Sequence, residues 1–164
     1  MMKRLLITGA AGGLGAMCRE RLTHLAETIV VSDRDGLGEA AAHEEIMYCD
    51  KFGIETACVR IGACFPEPKN HRMLSMWMSY DDFVRLIERV FIVPRLGCPI
   101  VYGTSANSGV WWDNHEVAYL GWQPQDNAEV FRAKLDAELR APTADEPNSK
   151  YQGGMFTADG IHEE

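Results

Sequence analysis

The stretch Thr8-Gly9-Ala10-Ala11-Gly12-Gly13-Leu14-Gly15 constrains this chain more than any other. The apolar run Leu5-Leu6-Ile7 leads into it. An amphipathic pattern leads out, with Leu14, Met17, Cys18, Leu22 and Leu25 recurring at helical spacing. Gly9, Gly12 and Gly15 therefore punctuate a strand-to-helix turn of the form G-x-x-G-x-x-G. One glycine permits the tight turn, one lets the backbone approach a pyrophosphate, and one lets the helix pack closely on the strand. Phosphates would lie at the helix N-terminus, where free N–H groups and the helix dipole favour negative charge. A glycine triplet alone would describe any glycine-rich βα turn; the strand before it and the helix after it favour dinucleotide binding.

Thr28 to Ser32, centred on Ile29-Val30-Val31, reads as a second β-branched strand that ends at Asp33. A carboxylate about 20 residues beyond the turn, at the end of strand 2, is placed to accept hydrogen bonds from both adenosine ribose hydroxyls and to repel a 2′-phosphate. That favours NAD over NADP. The plainer alternative for Asp33 is a solvated turn residue.

Composition excludes other classes. A formal net charge of -8 argues against a nucleic-acid partner, which needs clustered Lys and Arg. No apolar run approaches the roughly 20 residues that span a bilayer, so no membrane partner is expected. The start, Met-Met-Lys-Arg-Leu-Leu-Ile, faintly mimics a signal peptide but reads better as strand 1. With 164 residues, 46% hydrophobic and 24% charged, one soluble domain with its own core is expected. Cys18, Cys49, Cys58, Cys64 and Cys98 are odd in number and form no C-x-x-C pair. Buried, reduced thiols in a cytoplasmic protein follow.

Further along, the pattern weakens into a surface loop from Arg34 to Glu45. Residues 46–53 (IMYCDKFG) resemble the last turns of a helix closed by a glycine. Glu55 to Ile61 reads as a strand, and CFPEPKNHRML as irregular because of Pro66 and Pro68. Ser79 with Asp82 opens the strongest helix, carrying Phe83, Leu86, Ile87, Val90 and Phe91 inward until Pro94 and Gly97. A short strand at Pro99 to Tyr102 precedes a loop bearing Trp111 and Trp112, which read as core or interface anchors. Asp126 with Glu129 opens a final helix with Val130, Phe131, Leu135 and Leu139 inward. His71 and His115 have no metal-ligand spacing, and Ser105 and Asn107 lie in a loop without an assigned role.

TGAAGGLG with Asp33 resembles the extended short-chain dehydrogenase/epimerase family. ETACVRIGACFPEPKNHRMLSMWMSYDDFVRLIERV, LGCPIVYGTSAN, WWDN, LGWQPQDNAEVFR and YQGGMF resemble the C-terminal half of bacterial NAD-dependent uronate dehydrogenases, over nearly everything from Ile46 onward. The resemblance implies oxidation of glucuronate or galacturonate at C1 to the aldarolactone, with NAD as hydride acceptor. It places Gly9, Gly12, Gly13, Leu14, Gly15, Asp33 and Ile61 on the cofactor. Arg72, in NHRML, matches the arginine that pairs with the uronate carboxylate, a bidentate task suited to guanidinium. Ala63 stands where the family typically has a substrate-binding serine.

The same resemblance implies a catalytic tyrosine, a lysine four residues later that lowers its pKa, and a serine that orients the substrate. The chain has no such pair. Tyr48 has Lys51 at i+3, and the residues at i+4 from Tyr80, Tyr102, Tyr119 and Tyr151 are Val84, Ala106, Gln123 and Met155. Three βα units, on the order of a hundred residues, are missing relative to the family, with the junction near Glu45/Ile46. A rival alignment makes EEIMYCD the third strand with Asp50 as an adenine contact; continuity through Lys51-Phe52-Gly53 favours the helix. The expected fold is α/β: one Rossmann-like parallel sheet with flanking helices, reduced by loss of the middle units, with small C-terminal substrate-lobe elements. Residues 1–45 would form the NAD-binding half and 46–164 the C-terminal half. The strand at Glu55 to Ile61 is expected beside strand 1, in the order 2-1-6; the alternative for an open edge is a loosely packed fragment or one that associates into a homo-oligomer.

Overall fold

The glycine turn is flanked as the sequence requires. Strand β1 (Met2–Thr8) runs parallel to β2 (Ala26–Ser32), from Met2 beside Ala26 to Thr8 beside Ser32. Parallel neighbours need a crossover; α1 (Gly13–Arg21) and a 3-10 turn at Thr23–Leu25 supply it. Met17, Cys18 and Leu22 are buried with Leu5 and Ala26, so the apolar stripe of the helix covers this ribbon. The computed structural model describes residues 2–8, 13–32, 51, 53 and 55–151. Gly9, Gly12, Asp33, Cys49, Asp50 and the patch at 152–156 lie outside the described residues, as does most of the helix expected over 46–53. Gly53 has φ 66, the left-handed conformation expected of a glycine that closes a helix.

The rest of the chain runs β3 (Cys58–Ile61), β4 (Ala63–Cys64), α2 (Met73–Met76), β5 (Trp77–Met78), α3 (Tyr80–Ile92) and β6 (Ile100–Gly103). β3 pairs in parallel with β6, and β4 with β5. The strand expected from Glu55 is shorter than predicted, and the irregular stretch after Cys64 ends in a helical turn from Met73. The order 2-1-6 is not what forms: among the described residues β1 pairs only with β2, and β3 pairs with β6. The two ribbons meet through helices instead. Arg21 at the end of α1 is ion-paired with Asp81, its guanidinium lies 5.9 Å from the Tyr80 ring centroid, and His24 reaches Glu88 at 2.7 Å. Leu5, Met17, Cys18, Leu22 and Ala26 share one apolar cluster with Met78, Phe83, Leu86, Leu96, Val101 and Leu120.

α3 begins as predicted. Ser79 Oγ accepts the Asp82 N–H at 2.9 Å, and Asp81 and Asp82 lie in the first turn, where the helix dipole favours negative charge. Its inward face is narrower than expected: Phe83 and Leu86 are buried, but Phe91 is 47% exposed because it lies at the outer end of the last turn. Asp82 is fully buried and does more than cap. Its carboxylate accepts the Gln125 and Asp126 N–H groups at 2.8 and 3.0 Å and pairs with Arg85 at 2.5 Å. Its carbonyl accepts the Trp122 indole N–H at 3.2 Å.

Asp126 is therefore not the start of the last helix. Its carboxylate serves α3, accepting from Ser79 Oγ at 2.5 Å, and Asn127 is the cap, accepting the Glu129 N–H at 2.9 Å. A 3-10 turn at Ala128–Phe131 precedes α4 (Arg132–Glu138), and a short α5 (Pro147–Lys150) follows. The 3-10 turn advances three residues per turn instead of 3.6, so it shifts the phase: Leu135 is buried, Val130 is 78% exposed, and Leu139 also faces outward. Leu86→Ala should lower unfolding free energy by about 3 kcal/mol through cavity formation, and Asp82→Ala by a similar amount, about 3 kcal/mol, by leaving the Gln125 and Asp126 amides without their buried acceptor. Val130→Ala should stay within about 0.5 kcal/mol. Urea titration of the three variants checks this order.

Candidate functional site

α1 presents the features of an anion-binding helix start. Gly13 opens the helix and is exposed, and a Cβ built on it meets nothing within 4 Å, so the space beside it is open to a ligand. The first turn holds no acidic residue, and Arg19 and Arg21 lie in the last turn, so neither end opposes the helix dipole. Leu14 and Gly15 follow within the first turn, half-buried. Their partners in the motif, Gly9 and Gly12, and the ribose-binding candidate Asp33 lie outside the described residues.

Ile61 is the last residue of β3, half-buried and paired with Gly103. It lies at the carboxyl end of a parallel strand, the end at which open α/β sheets bind ligands. Gly62 comes next, and its lack of a side chain is required: a Cβ there would lie 2.4 Å from the Met76 carbonyl oxygen. That close approach brings β4 beside β5, and Ala63, paired with Trp77, is buried. Its methyl group offers no hydrogen bond.

Arg72 occupies the residue before α2, with helical backbone angles, and its carbonyl accepts the Ser75 N–H at 3.2 Å. Partial burial holds its guanidinium below the ordinary arginine range. Polar contacts fix the segment that carries it. Asn70 Oδ1 accepts the Met73 N–H at 3.1 Å, and His71 Nε2 lies 2.8 Å from Asp136 of α4. The Trp77 indole donates to the Phe65 carbonyl at 2.8 Å and packs edge-on against Phe131. Asn107 then joins three parts. Its amide donates to the Trp77 carbonyl at 2.7 Å and its oxygen accepts the Ala128 N–H at 2.9 Å, while Ser105 Oγ accepts the Ser79 N–H at 3.0 Å. Both side chains are buried. Sequence alone left Ser105 and Asn107 unassigned; the one usable signal was small polar residues between a strand and the tryptophan loop.

The structure thus gathers Ile61, Gly62, Ala63 and the Arg72 segment at one end of the β3–β6 ribbon. It places Gly13, Leu14 and Gly15 on the other ribbon, across the α1–α3 contact. Among the described residues, no group of three His, Cys, Asp or Glu side chains could hold a metal ion, and no helix is long and apolar enough to cross a membrane. The four described cysteines are free thiols.

No family model matches the chain. A uronate dehydrogenase of Agrobacterium fabrum is 55% identical over 115 residues, 70% of this chain and 43% of that protein. A crystal structure of a mutant uronate dehydrogenase from Agrobacterium tumefaciens, complexed with NAD, superposes with a TM-score of 0.89 at 32% identity, with the alignment covering 100% of each chain. The glucuronic acid dehydrogenase of Chromohalobacter salexigens superposes with a TM-score of 0.86 at 30% identity over 98% of each chain. The chain belongs to the uronate dehydrogenase family. It spans about two fifths of the length of the curated relatives it matches.

Burial, and after it the neighbouring Cys18 thiol, push the Cys64 pKa from 9.0 up to about 12. Folding then favours the neutral thiol, so this contribution to stability is complete below pH 9 and is lost as pH rises towards 12. Stability measured by urea should be independent of Cys64 up to about pH 9 and fall above it. At about pH 8, iodoacetamide should label Cys64 far more slowly in the folded than in the unfolded protein, as read by peptide mass spectrometry.

Proposed function

We propose that this chain derives from an NAD-dependent dehydrogenase that oxidises glucuronate or galacturonate at C1 to the aldarolactone, and that it binds without turning over. In this reading Gly9, Gly12, Gly13, Leu14 and Gly15 hold the NAD pyrophosphate at the start of α1. Asp33 holds the adenosine ribose, and Ile61 lies against the cofactor. The open space at Gly13 and the carboxylate-free first turn support that fit. When bound, NAD supplies a hydride acceptor. Arg72 binds the uronate carboxylate, and Ala63 in place of a serine removes one substrate hydrogen bond.

The observation that carries the proposal is the absence of any Tyr-x-x-x-Lys in the full sequence. Without that pair no side chain takes the C1 hydroxyl proton, however well the sugar is oriented. We further infer that residues 1–164 form one reduced Rossmann-like domain, with 1–45 as the NAD-binding half and 46–164 as the C-terminal half. Its middle βα units are missing at Glu45/Ile46. A match covering 70% of this chain but 43% of the relative is what a C-terminal block beginning near Ile46 would give, and so supports this division. A second reading, favoured by the same partial span, is an interaction fragment that no longer binds nucleotide.

Calorimetric titration with NAD, beside an absorbance assay for NADH with each uronate, separates these readings. Saturable heat that Asp33→Ala abolishes, with no NADH above background, is expected. Turnover above background that Asp33→Ala abolishes would overturn the loss of catalysis. No heat at all would select the interaction fragment.

A further inference from the structure

The β3–β6 ribbon has two faces, and only one packs into the core. Val59 and Ile61 join the apolar cluster with Val101. Alternation places Cys58, Arg60, Ile100 and Tyr102 on the other face, with Arg60 beside Tyr102. Parallel sheets are ordinarily covered on both faces. Among the described residues the cover on this side is the tryptophan loop. Trp112 stacks on Tyr102, with ring centroids 5.5 Å apart and planes within 7°. Asn114 closes the outer edge of β6, accepting the Tyr102 N–H and donating to its carbonyl, both at 2.9 Å.

That cover is partial. It leaves a recess of about 430 Å³ bordered by Arg60, Ile100, Tyr102, Trp111, Trp112 and Glu116. Ile100 and Trp111 are 43% and 38% exposed, and Val110 beside them is 41% exposed. Trp111 meets Trp112 edge-on. Tryptophan, tyrosine and arginine gathered around an exposed apolar patch are the composition of an association surface. The charges say what kind. Among the described residues the Arg60 and Glu116 side chains each lack an ion-pair or hydrogen-bond partner, whereas Asp113 is engaged by His115 at 2.5 Å. A small anion would meet the carboxylates of Asp113 and Glu116, and a small cation would meet Arg60. A two-fold axis satisfies both signs, because each copy offers what the other lacks.

We propose that this face is a homodimer interface, in which Arg60 of each copy pairs with the partner's Glu116 around the packed Trp111 side chains. It uses none of the residues assigned to NAD or uronate, so it stands or falls apart from that function. Sedimentation velocity on the full chain tests it. The wild type should sediment at about twice 18.3 kDa and dissociate as salt is raised. Arg60→Glu and Glu116→Arg should each sediment at half the wild-type mass. The double variant should recover the dimer, which keeps the test decisive if a single variant misfolds. A wild type that is monomeric at every concentration, single variants that remain dimeric, or a double variant that stays monomeric would overturn the proposal.

Discussion

The packing of α1 against the N-terminal half of α3 is the interaction on which the rest of this structure depends. The β1–β2 and β3–β6 ribbons share no described strand-to-strand hydrogen bonds, so no ladder fixes one against the other. What joins them is apolar contact, with Met17, Cys18 and Leu22 on one side and Phe83, Leu86 and Met78 on the other. The two ion pairs along the seam, Arg21–Asp81 and His24–Glu88, are largely exposed, and pairs of that kind contribute about 0–1 kcal/mol. Full burial of one Leu or Met side chain contributes about 1.5–3 kcal/mol. The apolar term wins, and the charges set the register of the two helices.

The same contact also fixes how the two ends of the molecule lie relative to each other. It holds the helix start at Gly13 in a fixed relation to the carboxyl end of β3, where Ile61 leads into Ala63. The Arg72 segment is positioned in turn by groups anchored on α3 and its surroundings: Asn107 through Trp77, Ser105 through Ser79, and Asp82 through residues 125–126. The framework at both ends is thus built by packing and hydrogen bonding among residues other than those in the proposed binding roles.

Local chemistry was legible in the sequence, and long-range pairing was not. The strand and helix that flank the glycine stretch, the Ser79/Asp82 start of α3, its termination before Pro94 and the left-handed Gly53 each depend on a few neighbouring residues, and each formed as read. Asp126 was misread because its partners, Ser79 and Arg85, are remote in sequence. Val130 and Leu139 were misread because a 3-10 turn replaced the first helical turn and shifted the phase. The strand expected at Glu55 to Ile61 does not pair beside β1, as closing an open edge would require; its observed part, Cys58–Ile61, pairs with β6. Among the described residues the two ribbons are joined through α1 and α3 instead, a solution invisible to strand periodicity. At the candidate site, Arg72 and the α1 glycines could be named from motifs, while Asn107 could not, because its role exists only once Trp77 and Ala128 are side by side.

Amide hydrogen exchange across β1 and β3 tests this seam most directly. If the helix contact unites the two ribbons, residues 3–7 and 58–61 are both protected and open with one common free energy, which Leu86→Ala lowers equally in both. Rapid exchange throughout both strands, or protection of one ribbon that is unaffected by Leu86→Ala, would contradict it.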